Sequence, residues 1–517
     1  MNGADDTGAR RAKSGQPLVL LVVLQGLVSA ASLVVEIVAG RMLAPYVGMS
    51  LYTWTSVIAV VLAGFSAGHW AGGRIAERDA AAALRLTAFA MAAASAATGF
   101  AVYLLRWSAG AVLGAAVSPG AAIVTMTMAA FFLPSFFAGV PAPVLAHLSV
   151  AGQKGREGRA LGAMFASGAL GAIAGTLAAG FLFISWLGSI RTLAVIAALY
   201  AFAGLVMLTM ARRPGARAVA IVAAAALAGL SGLSAQNPCT RESDYFCIRV
   251  EDVSPDGADT VRLMALDHLV HGISARNDVA TMHTAHAALM DQLARLTMAD
   301  RTASGRKFSA FFIGGGTYSM PRAWTADGIA DVTVAEIDPA VTAIAVSDFW
   351  FDPASARVLS ADARAALAGD KDRYDVIVGD AFTDIAIPPH LVTAEFFALA
   401  RGRLNPGGVY IMNVIDHIDR MGALAAIVAT LETSFPVVEI WTRAEADDGA
   451  KRRVFILLAG DRASPGDRFV PRAPEHYEAV RLTAAETDAL FPAGPATLLT
   501  DDYTPIDRLM GLDADGG

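Results

Sequence analysis

The chain is expected to fold as a multi-pass α-helical membrane domain of about seven helices, fused to a small β unit and an α/β domain of the Rossmann-like, class I methyltransferase type. Three observations carry this. Apolar residues make up 55% and charged residues 17% of the 517 positions, against about a quarter charged in ordinary globular chains. The charge is sparse before about residue 236 and ordinary after it. Beyond that point, a glycine triplet and three acids each close a successive predicted strand.

The membrane half comes first. Apolar runs long enough to cross a bilayer occupy roughly 17–37, 52–73, 86–105, 121–149, 161–184, 190–211 and 218–235, and lipid allows only helices there. A cytoplasmic tail over 1–16, a membrane domain over 17–235, a β unit over 236–300 and a nucleoside-binding domain over 301–517 follow. The run from Pro17 is too long for a cleaved leader. Arg10, Arg11, Lys13, Arg74, Arg78, Arg85, Lys154, Arg156, Arg159, Arg212, Arg213 and Arg217 flank one side. Only Arg41, Arg106 and Arg191 flank the other. That asymmetry puts the N-terminus in the cytoplasm, and an odd number of spans then puts the later domain outside the inner membrane. If the short last run does not span, the domain is cytoplasmic.

Gly64, Gly68 and Gly72, and again Gly171 and Gly175, recur every four residues, a spacing that lets helices approach closely. Pro134, Pro141 and Pro143 predict a broken fourth helix. Glu36 is unusual at membrane depth and marks either a structural ion pair near Arg41, His69 or His147 or a polar path. Cys239 and Cys247 are the two cysteines. Either they close a short loop, as suits an oxidising compartment, or they are unrelated buried thiols.

The next segment alternates in YFCIRVEDV and VRLMALDHLVHG, which reads as antiparallel strands with a turn over 254–257. An amphipathic helix is expected over about 279–298. KFSAFFI then predicts a buried strand leading into Gly314-Gly315-Gly316 and a helix around 320–326. About twenty residues on, DVTVAEID ends in Glu336. Glycines let the backbone approach a ligand, and an acid at the end of strand two accepts ribose hydroxyls. ARVLS leads to Asp362, YDVIVGD delivers Asp380, and GGVYIMN makes a fifth strand. Ligands of open α/β sheets bind outside the carboxyl ends of the strands, where these acids fall.

On these residues the sequence resembles the spermidine synthase (polyamine aminopropyltransferase) family, and most closely its subgroup fused to a multi-pass membrane region. The family's glycine turn matches Gly314–Gly316, and its Glu-Ile-Asp matches Glu336-Ile337-Asp338, where the Glu holds ribose. Its adenine contact matches Ala361-Asp362-Ala363, and its catalytic loop opens at Asp380. The resemblance implies decarboxylated S-adenosylmethionine or S-adenosylmethionine as cosubstrate, no permanently bound cofactor, and methylthioadenosine as product. It implies Asp380 as the base that deprotonates an attacking amine.

Three positions depart from the family. Thr317 stands where an Asp is usual, Asp384 falls one residue late, and Asp267–His271 replaces a segment that usually carries Gln. Thr317, Tyr318, His271 and Asp384 are therefore candidates for an altered substrate pocket, with packing the alternative for Tyr318 and His271. The acceptor is a small amine or a lipid-borne group. Other readings remain open: a lyase without an acceptor, a methyltransferase, or a nucleoside-sensing transporter or sensor. Tyr374 and Trp324 are expected in the core. His283 and His286 lie three apart, but no third ligand suggests a metal. A net charge of −7 argues against nucleic acid, and a homo-oligomer is compatible with the sequence.

Overall fold

The computed structural model describes residues 16–115, 118–153, 155–211, 215–257, 259–382, 387–445 and 451–510. Asp384 lies outside the described residues. The chain divides into two compact units, Met1–Asn237 and Pro238–Gly517.

The elements of the first unit, among the described residues, are helices: α1 Leu18–Val47, α2 Leu51–Ala76, α3 Ala80–Leu113, α4 Pro119–Gly139, α5 Pro141–Ala151, α6 Glu157–Ala178, α7 Ile184–Met210 and α8 Ala216–Leu230. Six continuous helical stretches among the described residues are long and apolar enough to cross a membrane. The longest, Glu157–Met210, runs for 54 residues and takes in two of the seven expected runs. It is not one rod. Gly188 breaks it with φ 74° and ψ 172°, and the Thr192 hydroxyl lies 3.3 Å from the Phe183 carbonyl. Nine residues of straight helix would separate those groups by about 13 Å, so the chain turns sharply at Gly188, near the start of α7, and the helical stretches before and after Gly188 are separate.

The expected break in the fourth span is milder than its prolines suggest. Pro134 sits inside α4, and Val140 between α4 and α5 keeps helical angles of −59° and −40°. The chain is divided only where Pro141, lacking an N–H, starts the next turn.

The spaced glycines pack helices backbone to backbone. A methyl group placed on Gly68 would lie 2.1 Å from the Phe136 carbonyl oxygen, and one on Gly72 2.3 Å from that of Val140. On α6, methyls on Gly171 and Gly175 would lie 2.1 and 2.2 Å from the carbonyl oxygens of Gly26 and Ala30.

The second unit opens with an antiparallel sheet of β1 Arg241–Glu242, β2 Cys247–Asp252, β3 Val261–Leu266 and β4 Leu269–Ala275, paired in that order. Cys239 and Cys247 form a disulfide. Next come α9 Ala285–Thr297, α10 Ala299–Ala303, β5 Phe308–Ile313, α11 Ser319–Ala326, β6 Ala330–Glu336, α12 Pro339–Asp348, β7 Arg357–Ser360, α13 Ala363–Gly369, β8 Tyr374–Gly379, α14 Ala394–Gly402, β9 Leu404–His417 and α15 Gly422–Glu432. The edge strands β10 Val437–Arg443, β11 Arg452–Gly460, β12 Arg468–Phe469 and β13 Ala479–Arg481 complete a nine-stranded sheet ordered 12-13-10-11-9-8-5-6-7.

Strands 9, 8, 5, 6 and 7 are parallel. The central ones bury both faces, which is why FSAFFI and YDVIVG read as nearly continuous apolar runs. Leu293 and Trp324 pack one side, Phe396, Phe397 and Ile427 the other, all buried. Trp324 and Tyr374 are core residues, as expected. The chain proceeds from β5 outward to β7 and then returns to place β8 on the other flank of β5. That reversal makes a switch point between β5 and β8, where the loops part and leave a crevice.

Gly68→Val should cost the membrane unit about 1–3 kcal/mol through overpacking. Fluorescence-detected gel filtration after a heating series should show a lowered melting midpoint. An unchanged midpoint would mean that α2 and α4 are not in backbone contact there.

Candidate functional site

The crevice holds a cavity of about 300 Å³ whose walls include Gly314, Gly315, Gly316, Thr317, Glu336, Asp362, Ala363, Asp380 and His271. The sequence singled out each of these. Tyr318 is not among the wall residues. It is buried, with its ring 4.2 Å from that of Phe351 and its hydroxyl 2.7 Å from Thr342 Oγ1. Its ring lies so close under the turn that a methyl group on Gly315 would meet it at 2.3 Å. Tyr318 thus supports the turn from below, the packing alternative.

The turn itself needs glycine. Gly314 and Gly316 have φ of 90° and 52°, in the left-handed region that side chains disfavour. Gly272 on β4 has a different reason: a methyl there would lie 2.4 Å from Thr317 Oγ1, so its bareness lets Thr317 lie against the small sheet.

Glu336 ends β6 and is buried. Its Oε2 accepts the Gly315 N–H at 2.8 Å and its Oε1 the Asp338 N–H at 2.9 Å. Burial pushes the carboxyl up despite these bonds. The Gly316 N–H is a third backbone donor to this carboxylate, which leaves about one of its four lone pairs for a ligand. Asp362 caps α13, with Oδ1 accepting the Ala365 N–H at 2.9 Å and Oδ2 2.7 Å from His390 Nε2. Burial opposes its ionisation, but the Ala365 N–H and His390 outweigh it and hold the carboxyl below the usual range.

Asp380 follows β8. Its Oδ1 accepts from Asn413 Nδ2 at 3.1 Å, and its Oδ2 lies 3.7 Å from His286 Nε2. Burial pushes this carboxyl up, and His286 and Asn413 only partly counter it. Across the cavity, burial, reinforced by His286 and His268, pushes the His271 imidazole down to about 4. His271 is therefore neutral at pH 7. Next to the turn, the hydroxyls of Thr317 and Ser319 lie 2.6 Å apart, and those of Ser319 and Ser274 2.8 Å.

Sequence reading missed Asn413, His390, Tyr245 and Phe246, and considered His286 only as half of a metal pair. Asn413 had a signal. It ends the run GGVYIMN, though β9 continues to His417, and the parallel pairing of Gly379 with Met412 sets the next residues, Asp380 and Asn413, side by side. That register could not be read from one sequence. His286 lies on α9, distant in sequence from Asp380, and only the fold brings them together. Among the described residues no cluster of three or more His, Cys, Asp and Glu could hold a metal.

No family model matches the chain. Over 200 residues, 36% of this chain and 44% of the relative, it is 30% identical to a probable polyamine aminopropyl transferase of Bifidobacterium longum. Over 89 residues, 16% of this chain and 29% of the relative, it is 40% identical to a polyamine aminopropyltransferase of Vibrio vulnificus. The chain thus spans less than half the length of these curated relatives. A probable spermidine synthase structure from Corynebacterium glutamicum matches with 21% identity and a TM-score of 0.38, over 44% of this chain and 81% of that one. The likeness is to the family that the sequence resembles.

The Asp380 carboxyl generates a prediction about pH. Its folded-state pKa is raised, so its contribution to stability is present below the ordinary carboxylate pKa and is lost as pH rises through the folded value. Asp380→Asn should therefore melt a few degrees higher than the native protein at pH 8, and the gap should close toward pH 3. A variant that melts lower at pH 8 would mean that the ionised carboxylate stabilises the fold.

Proposed function

We propose that the chain is a membrane-bound enzyme of the aminopropyltransferase type, which cleaves a sulfonium nucleoside and releases methylthioadenosine. The donor is decarboxylated S-adenosylmethionine or S-adenosylmethionine itself, and the acceptor is an amine, free or lipid-borne. The observation that carries this reading is the convergence of the glycine turn, Glu336, Asp362 and the raised carboxyl of Asp380 on one cavity. The names of the curated relatives supply the reaction class.

The residues divide the work as follows. The bare turn lets the nucleoside approach the backbone, and the remaining acceptor capacity of Glu336 takes a ribose hydroxyl. Asp362 and Ala363 border the adenine. The acceptor arrives as an ammonium and gives a proton to Asp380, whose raised pKa brings it nearer to operating pH and makes it the stronger base. The freed nitrogen lone pair forms a C–N bond to the aminopropyl carbon beside sulfur. The C–S bond breaks, and its electron pair neutralises the sulfonium to a thioether. His286, beside Asp380 Oδ2, is placed to pass the proton on.

Thr317 favours a second reading. Where a carboxylate would repel a second carboxylate, this chain has the hydroxyls of Thr317, Ser319 and Ser274. The site then tolerates the α-carboxylate of full S-adenosylmethionine. That carboxylate can attack its own γ-carbon, closing a lactone and expelling methylthioadenosine without an acceptor.

Location follows from the two halves together. With the N-terminus cytoplasmic by the charge rule and an odd number of passes, the enzyme unit lies outside the inner membrane. The Cys239–Cys247 disulfide suits that side.

Mass spectrometry of the purified chain with either donor, with and without putrescine, tests the reading. Methylthioadenosine that requires an amine supports the transferase, and methylthioadenosine from S-adenosylmethionine alone supports the lyase. S-Adenosylhomocysteine would make it a methyltransferase. Nucleoside binding with no product, with lipid extract present, would make it a sensor. Asp380→Asn should bind the nucleoside as before and lose about 10²–10⁴ in turnover. Thr317→Asp should shift donor preference toward the decarboxylated form.

A further inference from the structure

We propose that the Cys239–Cys247 disulfide is a positioning device for the nucleoside site: it holds Tyr245 and Phe246 as one wall of the cavity, so that the donor binds tightly only while the bridge is intact. The inference rests on the proposed function and adds a redox condition to it.

Tyr245 and Phe246 both line the cavity, and both lie inside the loop that the disulfide closes. The bridge is the loop's covalent tie, beside the packing of Phe246 on the apolar cluster under the small sheet and the hydrogen bonds of Ser243 at its tip. The loop's strand β1 is two residues long, pairing Arg241 with Ile248 and Glu242 with Cys247 at the edge of the small sheet. Tyr245 is 44% exposed, with its ring 6.3 Å from that of Phe246. The anchored end is Cys247. Its N–H donates to Asp267 Oδ1, and its carbonyl accepts the Asp267 N–H, each at 2.9 Å. The bridge ties Cys239, at the other end of the hairpin, to this fixed point.

The tip is folded by Ser243. Its Oγ accepts the N–H groups of Tyr245 and Phe246 at 3.1 and 2.8 Å. The same hydroxyl donates to Asp338 Oδ2 at 2.5 Å. Asp338 gives its N–H to Glu336, which in turn receives the Gly315 N–H. One bonded path therefore runs from the disulfide hairpin to the ribose-facing carboxylate and the glycine turn. Opening the hairpin removes two aromatic rings from the wall and one partner from that path. Asp380 and Asn413 lie outside the path, so the bond-making step keeps its base.

Reduction by dithiothreitol converts the bridge to two thiols, and the reagent leaves as its cyclic disulfide. Both sulfurs are buried, so the double variant C239S/C247S provides a second route to the open loop. The test is calorimetric titration of methylthioadenosine into full-length protein in detergent. The oxidised, reduced and C239S/C247S forms are compared, with thiol state checked by alkylation and folding by melting. If the hairpin is ordered about one-tenth of the time without the bridge, the dissociation constant rises about ten-fold. The Michaelis constant for the donor should rise by the same factor, with kcat at saturating donor nearly unchanged. Phe246→Ala in the oxidised protein should weaken binding too.

Equal affinity in the oxidised, reduced and C239S/C247S proteins would overturn the inference and leave the proposed function standing. So would a folded C239S/C247S that loses kcat but not affinity. If the oxidised protein binds methylthioadenosine and neither donor changes it, the inference is tested by binding alone. If it binds no nucleoside at all, the inference and the proposed function fall together.

Discussion

The site depends on one carboxylate that binds its own backbone. Glu336 takes the N–H of Gly315 with one oxygen and the N–H of Asp338 with the other. It thereby ties the loop after β5 to the loop after β6. Both loops would otherwise leave donors pointing into a crevice with no strand beside them. A buried, ionised carboxylate is expensive unless such donors surround it, and a bare glycine turn is loose unless something receives its N–H groups. Each offsets the other's cost. Asp338 extends the arrangement, capping α12 through the Ala340 N–H and taking the Ser243 hydroxyl from the small sheet. The small sheet and the large one are joined at the edge where the acids gather.

Much of this was legible in the sequence because strand ends are marked by residue type. The run KFSAFFI-GGG and the acids at 336, 362 and 380 mark the carboxyl edge, and the alternation after Tyr245 marks the small antiparallel sheet. The membrane half was legible for a simpler reason: lipid enforces helices wherever charge is absent. Gly188 could be read only as a gap between two apolar runs, yet it is where the chain turns sharply. The prolines near 140 do mark the division between α4 and α5, though Val140 between them keeps helical angles.

What was not legible is whatever depends on register or on distant packing. Asn413 meets Asp380 because β9 pairs in parallel with β8 at one offset and no other; a slip of one residue would turn Asn413 to the opposite face. His286 reaches Asp380 because α9 packs beside β9 and β11, far along the chain. Tyr318 looked like a pocket residue because it follows the glycines, but a left-handed backbone at φ 57° turns its ring beneath them.

Three acids share a cavity of about 300 Å³, and like charges so confined cannot be equivalent. The fold sorts them by what each is given. Glu336 is the most enclosed, with backbone donors on both oxygens, so its oxygens are positioned rather than reactive. Asp362 has a helix N-terminal N–H and a histidine, and its proton is held off most firmly. Asp380 receives one amide N–H at 3.1 Å and a histidine 3.7 Å away, too little to offset its burial. Burial pushes both Glu336 and Asp380 up, and Asp380 is the one of the two whose protonation leaves no backbone donor stranded. An acid poised to gain a proton is what the proposed reaction of a protonated nucleophile requires.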